Sequence, residues 1–301
     1  MKITILGNSS AIPAYGRFPT SQHIQVHQHQ LLFDCGEGTQ MKLQQYGLRA
    51  GQIDHIFISH AHGDHFFGLA PLVSSQSLLG RSRPLYIYGP PEVKQIIDLQ
   101  LFWPLGFELI YRVLEVGERA LLWQDDKTEI RCFPVMHSVP THGFRITECH
   151  RKRKLIPEKL REFEIPKYYY SKLSDGFDYE SKDGRIIKNE WVSEEGVPPA
   201  HYVYTADTCY HEDLLDDMAG ADILYHESTY LQNDIHKAHE RMHATAIEAA
   251  TMALKSKAKK LIIGHFSSRY KDLQPFLDEA ISVFPNTVLA LEGVLFDTGS
   301  G

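Results

Sequence analysis

No apolar run in the chain approaches the ~20 residues that a membrane-spanning helix requires, so a helical membrane protein is excluded. Cysteine is scarce, with only four in 301 residues. Cys35, Cys132, Cys149 and Cys209 are far apart and form no Cys-x-x-Cys pair. They read as buried thiols of a reducing compartment rather than a disulfide framework. No internal repeat is present. The opening Met1-Lys2-Ile3-Thr4-Ile5-Leu6 has a strand pattern, not that of a secretory leader, and the expected location is the cytoplasm. Overall positive charge is also lacking: the net charge is −7, which taken alone argues mildly against a nucleic-acid partner.

The charge is unevenly spread. Residues 151–188 hold 11 Lys or Arg against 7 Asp or Glu, which leaves −11 for the rest of the chain. A patch of one sign is what phosphate recognition uses, although a solvated charged segment has the same composition. Hydrophobic residues make up 43% of the chain, enough for one large core or for two smaller ones.

Short apolar strands alternate with segments of helical period. The pattern predicts strands at 2–6, 22–27, 30–34, 54–58, 85–88, 109–114, 129–135, 201–205, 222–226, 260–264 and 288–291. It predicts helices at 39–47, 66–79, 91–102, 244–257 and 273–284. Early strands are hairpin-spaced and later ones are separated by helices. The expected class is α/β, two sheets packed face to face with helices outside. Residues 148–200 break this rhythm. The segment is rich in Lys, Arg, Glu and Tyr, is punctuated by Pro157, Pro166, Pro198 and Pro199, and is too long for an ordinary connection. It reads as an inserted arm, with a hairpin near Asp183-Gly184.

The densest chemistry lies in Ser59-His60-Ala61-His62-Gly63-Asp64-His65, directly after Ile56-Phe57-Ile58. Imidazole suits Zn²⁺ and its neighbours, and a carboxylate can ligate a metal or handle a proton. Further candidates recur where predicted strands end: His137, Asp207 and His265. Binding residues concentrate at such ends. Together these seven residues supply enough donors for two ions. A metal pair lowers the pKa of bound water toward ~7 and clamps the oxygens of a phosphoryl displacement.

The His-x-His-x-Asp-His loop with His137, Asp207 and His265 resembles the metallo-β-lactamase superfamily. Leu32-Phe33-Asp34-Cys35-Gly36-Glu37-Gly38-Thr39-Gln40, Ala206-Asp207-Thr208, His226-Glu227-Ser228-Thr229 and His265-Phe266-Ser267-Ser268-Arg269-Tyr270 narrow it to the ribonuclease Z family in its short form. The resemblance covers essentially the whole chain, 1–301. It implies a metallo-β-lactamase-like αββα sandwich with an inserted flexible arm at about 148–200. It also implies a zinc-dependent endoribonuclease that removes the 3′ trailer from precursor tRNA by metal-activated attack of water on a phosphodiester.

Residue by residue, the resemblance implies that His60, His62 and His137 hold one Zn²⁺ and that Asp64, His65 and His265 hold the other, with Asp207 bridging. Mn²⁺ would suit the same donors. Asp64 would orient or deprotonate the water. Glu227 and His243 would form the acid that protonates the leaving ribose oxygen, since a carboxylate raises the pKa of a neighbouring imidazole. From the residues alone, His243 merely precedes helix 244–257, with Thr245 a candidate cap. Asp34 is either a partner of a ligand histidine or a turn carboxylate. Arg269 can grip a phosphate.

In the family the arm grips tRNA, and here it would offer Arg153 and Lys172 among the basic residues Arg151, Lys152, Lys154, Lys159, Arg161 and Lys167. Tyr168-Tyr169-Tyr170 stands where the family usually has a Gly-Pro element. The family also implies a homodimer. His226 reads as structural, and so do the groups His23/His27/His29 and His236/His239. Two other classes share features of this sequence. A metallo-hydrolase of small phosphodiesters, lactones or thioesters would share the metal loop but not the arm or the Glu227–His243 pair. A non-catalytic RNA-binding protein would have lost ligands, and none is missing.

Overall fold

In the computed structural model, which describes residues 1–148, 152–196 and 199–299, strict alternation along the strands builds a four-layer molecule. Ile3 and Ile5, Leu31 and Phe33, Phe57, Tyr202 and Tyr204, Tyr225 and Ile262 all point into one buried layer. Their chain neighbours Leu6, Leu32, Ile56 and Ile58 face a second layer, and Val203, Leu224, Leu261 and Ile263 a third. A period of two sends successive side chains to opposite faces of a sheet. These strands are therefore buried on both sides, one face against the other sheet and the other against helices.

The two sheets have seven strands each. The first runs, in spatial order, Leu295–Asp297, Lys2–Gly7, Ser21–Val26, His29–Cys35, Ile53–Phe57, Leu85–Gly89 and Leu109–Val113. The second runs Thr287–Leu289, Leu261–Gly264, Ile223–Glu227, Ala200–Tyr204, Thr141–Glu148, Thr128–Val135 and Ala120–Gln124. Helices Thr39–Gln45, Leu69–Leu78 and Pro91–Gln100 cover the first sheet, and Ala246–Lys255 and Gln274–Val283 cover the second. The expected αββα sandwich is what forms.

Four differences from the sequence expectation are local, the first being strand Ala120–Gln124, which was not expected. The helix expected at 66–79 runs only from Leu69 to Leu78, after a separate short helix Gly63–Phe66. Strand Thr141–Glu148 was hidden by His142-Gly143, and a Cβ at Gly143 would lie 2.4 Å from the Phe133 ring, so close packing demands glycine there. Strand Leu295–Asp297 is only three residues long and leaves no pattern to read.

Strands Thr141–Glu148 and Ala200–Tyr204 are antiparallel neighbours, with Glu148 opposite Ala200. The segment between them therefore extends a hairpin and leaves the sandwich register untouched. Its described part folds around its own cluster of Leu160, Ile165, Leu173, Tyr179, Ile187 and Val192. These residues follow no fixed period because Leu160, Leu173 and Val192 sit on helices of only four to six residues and Tyr179 and Ile187 on two-residue strands. The expected hairpin is there: Tyr179–Glu180 pairs with Ile186–Ile187, and Gly184 takes φ 80° in the turn. Cys149, Arg151 and Pro198 lie outside the described residues, and the other three cysteines are free. Among the described residues no helix is long and apolar enough to cross a membrane.

Candidate metal and phosphodiester site

Ala200–Tyr204, Ile223–Glu227 and Leu261–Gly264 are parallel neighbours, so their C-terminal ends share one rim. Asp207, Glu227 and His265 are carried at or just past those ends. Ile53–Phe57 in the other sheet delivers the 59–65 loop to the same place, tied by the His142 N–H to Ser59 carbonyl bond of 3.0 Å. Asp34, Ala206 and His265 all have left-handed backbones, with φ of 55°, 54° and 60°. Each costs about 1–2 kcal/mol for a residue with a Cβ. Three such residues on one rim mean that the surroundings over-determine the backbone there, as is common at functional sites.

The seven expected ligands converge. His60, His62, His137 and Asp207 form one group of potential donors, and Asp64, His65 and His265 form another. One oxygen of Asp207 lies 3.2 Å from His265 Nε2, 3.4 Å from His65 Nε2, 3.8 Å from His60 Nε2 and 3.9 Å from His137 Nε2. His62 Nδ1 is 3.0 Å from His60 Nε2 and 3.3 Å from His137 Nε2. In the second group the contacts are 3.4 Å for His65–His265, 3.4 Å for His265–Asp64 and 3.6 Å for His65–Asp64. Four donors about 2.0–2.1 Å from a tetrahedral zinc are about 3.3 Å apart, so these spacings fit an ion in each group.

The charges fit as well. Burial and the neighbouring His65 hold His60 far below the usual imidazole range, in the neutral form that binds metal. His65 goes the other way. Burial would lower its pKa, but Asp207, Asp64 and Asp34 outweigh that and raise it well above normal. Three carboxylates around one buried imidazole make a pocket built for positive charge.

The outward nitrogens of the histidines are also held. His65 Nδ1 donates to Asp34 Oδ2 at 2.7 Å, and His137 Nδ1 to the Met242 carbonyl at 2.9 Å. His265 Nδ1 lies 2.9 Å from Thr229 Oγ1, and His60 Nδ1 2.9 Å from Ser59 Oγ. Such contacts fix ring tautomer and direction. Asp34, fully buried, also accepts from Ser59 N at 2.7 Å, Ser59 Oγ at 2.9 Å and Tyr204 OH at 2.5 Å. Of its two sequence readings, the partner of a ligand histidine is the one the geometry supports. Sequence reasoning missed Ser59, Tyr204, Thr229 and the Met242 carbonyl. Ser59 and Thr229 had left a trace, as members of the 59–65 stretch and the His-Glu-Ser-Thr stretch.

Beside the donors, Glu227 Oε1 lies 2.6 Å from His243 Nδ1. Glu227 also accepts from Thr208 N at 3.1 Å, Thr229 N at 2.9 Å and Thr229 Oγ1 at 2.7 Å. Burial pulls the His243 pKa down, but the Glu227 carboxylate outweighs it and lifts the value to about 9. Burial raises Glu227 while His243 lowers it, and the net direction is down. His243 is set two residues before a capping box in which Thr245 Oγ1 accepts from Glu248 N and Glu248 Oε2 accepts from Thr245 N. The cap expected of Thr245 is therefore real and coexists with the pair. His243 also falls in a third donor group with Asp207 and His265, but its Nδ1 is engaged by Glu227.

A cleft of about 380 Å³ opens onto Asp64, His62, Asp207, His243 and His265, with Ala11, Glu37 and Phe67 at its walls. Ala11 N donates to Asp64 Oδ2 at 2.7 Å. Arg269 is exposed two residues past Ser267, and Lys172 is exposed on the insertion, its ammonium over the Tyr169 ring. Arg153 Nε donates to Ser193 Oγ at 2.8 Å, so one edge of its guanidinium is engaged inside the insertion. His226 turns its Nδ1 to the Glu227 carbonyl at 2.7 Å. His29 pairs with Asp125, His27 with Glu148 and His239 with Glu248. Among the described residues, none of these histidines, nor His23 or His236, joins a donor group.

The four-layer fold, with a His/Asp cluster on the rim between its sheets, defines a metallo-β-lactamase-fold protein with a metal-binding site. Solved structures agree. The short form of human tRNase Z superimposes with a TM-score of 0.71 at 26% identity, over 99% of both chains. The metallo-β-lactamase-fold protein YhfI from Bacillus subtilis gives 0.70 at 21% identity, over 98% of this chain and 99% of that one. A family model described as anti-Pycsar protein Apyc1 matches residues 1–101. Ribonuclease Z from Porphyromonas gingivalis is 37% identical over 298 residues, 98% of each chain. Ribonuclease Z from Phocaeicola vulgatus is 36% identical over 299 residues, 97% of this chain and 95% of that one. The chain belongs to the ribonuclease Z family.

Proposed function

We propose that the protein is a zinc-dependent endoribonuclease that removes the 3′ trailer from precursor tRNA. The observation that carries this reading is the 2.6 Å Glu227–His243 contact beside two donor groups joined through Asp207, at a cleft lined by His62, Asp64, Asp207, His243 and His265. His60, His62 and His137 with Asp207 would hold one ion, and Asp64, His65 and His265 with Asp207 the other. Zn²⁺ suits the donors, and so does Mn²⁺. Bound there, the metal pair supplies Lewis acidity and lowers the pKa of water toward ~7.

The chain's own groups divide the remaining work. Asp64, with Oδ2 fixed by the Ala11 amide, orients the attacking water and takes its proton. Attack at phosphorus breaks the bond to the ribose 3′ oxygen, which needs a proton as it leaves. His243 donates it: Glu227 engages Nδ1 and favours the charged ring, leaving Nε2 for the substrate.

Recognition falls to basic groups outside the cleft, with Arg269 contacting a phosphate near the cut and Arg153 and Lys172 contacting tRNA backbone from an inserted substrate-binding arm. The arm leaves the sandwich at Ala200, whereas Asp207 lies seven residues further on. The strand Ala200–Tyr204 between them spans about 13 Å. An arm rooted at the far end of the strand from its own site serves the site of a second subunit, which favours a homodimer. The expected setting is the cytoplasm.

The test is incubation of purified protein with trailer-bearing precursor tRNA, mapping the cut with and without a chelator. A single metal-dependent cut at the trailer junction is expected. Activity on a lactone or cyclic dinucleotide with none on precursor tRNA would overturn the reading, as would cleavage that survives metal removal.

A further inference from the structure

Two adjacent phenylalanines follow the 59–65 loop and have opposite fates. Phe66 is 2% exposed and packs in the core beneath the first sheet, whereas Phe67 is 63% exposed. Exposure of a single aromatic is ordinary on a protein surface, but Phe67 lines the cleft that holds Asp64, His243 and His265.

Its ring is also held in place. Phe67 N donates to the Gly63 carbonyl at 2.9 Å, one helical turn back. A helical side chain leans toward the preceding turn, which brings this ring onto Gly63 in the middle of the ligand loop. A Cβ at position 63 would lie 2.2 Å from the ring, so only glycine lets it settle there. Phe66 braces it edge-on, with centroids 5.0 Å apart and planes at 67°. An apolar ring fixed at the mouth of a phosphodiesterase cleft, with a face left bare, is a platform for a flat apolar surface. Nucleobases present such a surface on either side of any scissile phosphate.

We propose that Phe67 is a substrate-positioning residue whose ring stacks on a nucleobase flanking the scissile phosphate, setting the phosphate against the metal donors. The inference rests on the endoribonuclease reading above. It assigns to the site a preference for phosphodiesters that carry a base beside the cut, without sequence readout, since every base has a π-face.

The experiment measures single-turnover cleavage by metal-loaded wild type, Phe67→Ala and Phe67→Tyr. The substrates are three precursor tRNAs: one complete, one abasic at the nucleotide 5′ to the cut, and one abasic at the nucleotide 3′ to it. Phe67→Ala is expected to lower kcat/KM on the complete substrate by roughly 5- to 150-fold, the range for loss of one base–aromatic stack. That loss should shrink to within about threefold on one of the two abasic substrates, because the partner base is already gone. Phe67→Tyr should stay within about threefold of wild type on all of them. Metal content should match wild type in both variants.

Equal loss on all three substrates would mean that Phe67 only supports the loop, and the inference fails while the endoribonuclease reading stands. No loss on the complete substrate has the same consequence. Failure of wild type to cleave the complete substrate defeats the endoribonuclease reading itself, and the inference with it.

Discussion

Asp34 offers the sharpest test of how the site is held. Four donors meet its carboxylate, and Asp34, Ser59, His65 and Tyr204 are all 0% exposed. Asp34→Ala leaves these donors without their acceptor. At about 1–3 kcal/mol for each buried unsatisfied group the simple sum overshoots, because Ser59 Oγ already has a second partner in His60 Nδ1. The loss expected for breaking one buried charged network is about 3–5 kcal/mol. In a domain of this size that is a melting-temperature drop of roughly 5–8 °C.

A second effect is separable from the first. With Nδ1 unheld, the His65 ring loses its fixed tautomer and direction, and metal affinity should fall about 10–100-fold. Asp34→Asn keeps the volume but turns one acceptor into a donor, and should fall between wild type and Asp34→Ala on both measures. Thermal unfolding of the metal-free protein reads the first effect, and chelator competition at 25 °C reads the second. If Asp34→Ala melts within 2 °C of wild type and holds metal within threefold, Asp34 is not what orients His65, and the reasoning is wrong.

Other outcomes follow from the same structure. Glu227→Ala should lower turnover by about 10²–10⁴-fold, the range for general acid catalysis, while metal content by elemental analysis stays at the wild-type level; metal loss would contradict its assignment to the acid. Replacing residues 149–199 with a short turn, which the Glu148–Ala200 pairing allows, should weaken precursor-tRNA binding and flatten its salt dependence. Hydrolysis of a small phosphodiester should continue, and loss of both together would show the arm to be structural. His55 is 5% exposed, and burial lowers its pKa to about 4. The folded state therefore takes up its proton later than the unfolded chain. Stability is full above pH 6.5 and is lost as pH falls from 6.5 toward 4, by about 2 kcal/mol between pH 7.5 and 5 for this group. His55→Phe should remove that share of the acid sensitivity in urea titrations, and an unchanged pH slope would refute the assignment.

Much of the architecture was legible because burial on both faces leaves short, uniformly apolar strands, and eleven of them stood out between helix-period segments. Two strands that escaped notice broke the pattern for local reasons, one through Gly143 beneath Phe133 and the other through the brevity of Leu295–Asp297. The insertion's small core escaped because Leu160, Leu173, Ile187 and Val192 sit on short pieces with no common period.

By itself the sequence determined the donor inventory. Three histidines and an aspartate within six residues, and single ligands at later strand ends, reveal their chemistry by residue type and place along the chain. Tertiary structure alone decided how those donors are held and which groups act together. Asp34 meets Tyr204 170 positions away, and Thr229 links His265 to Glu227 across two parallel strands. Hydrogen bonds of this kind depend on which strand ends share a rim and on the direction of each ring. Pattern along a chain carries neither, because both are set by the pairing of the strands and the packing of the two sheets.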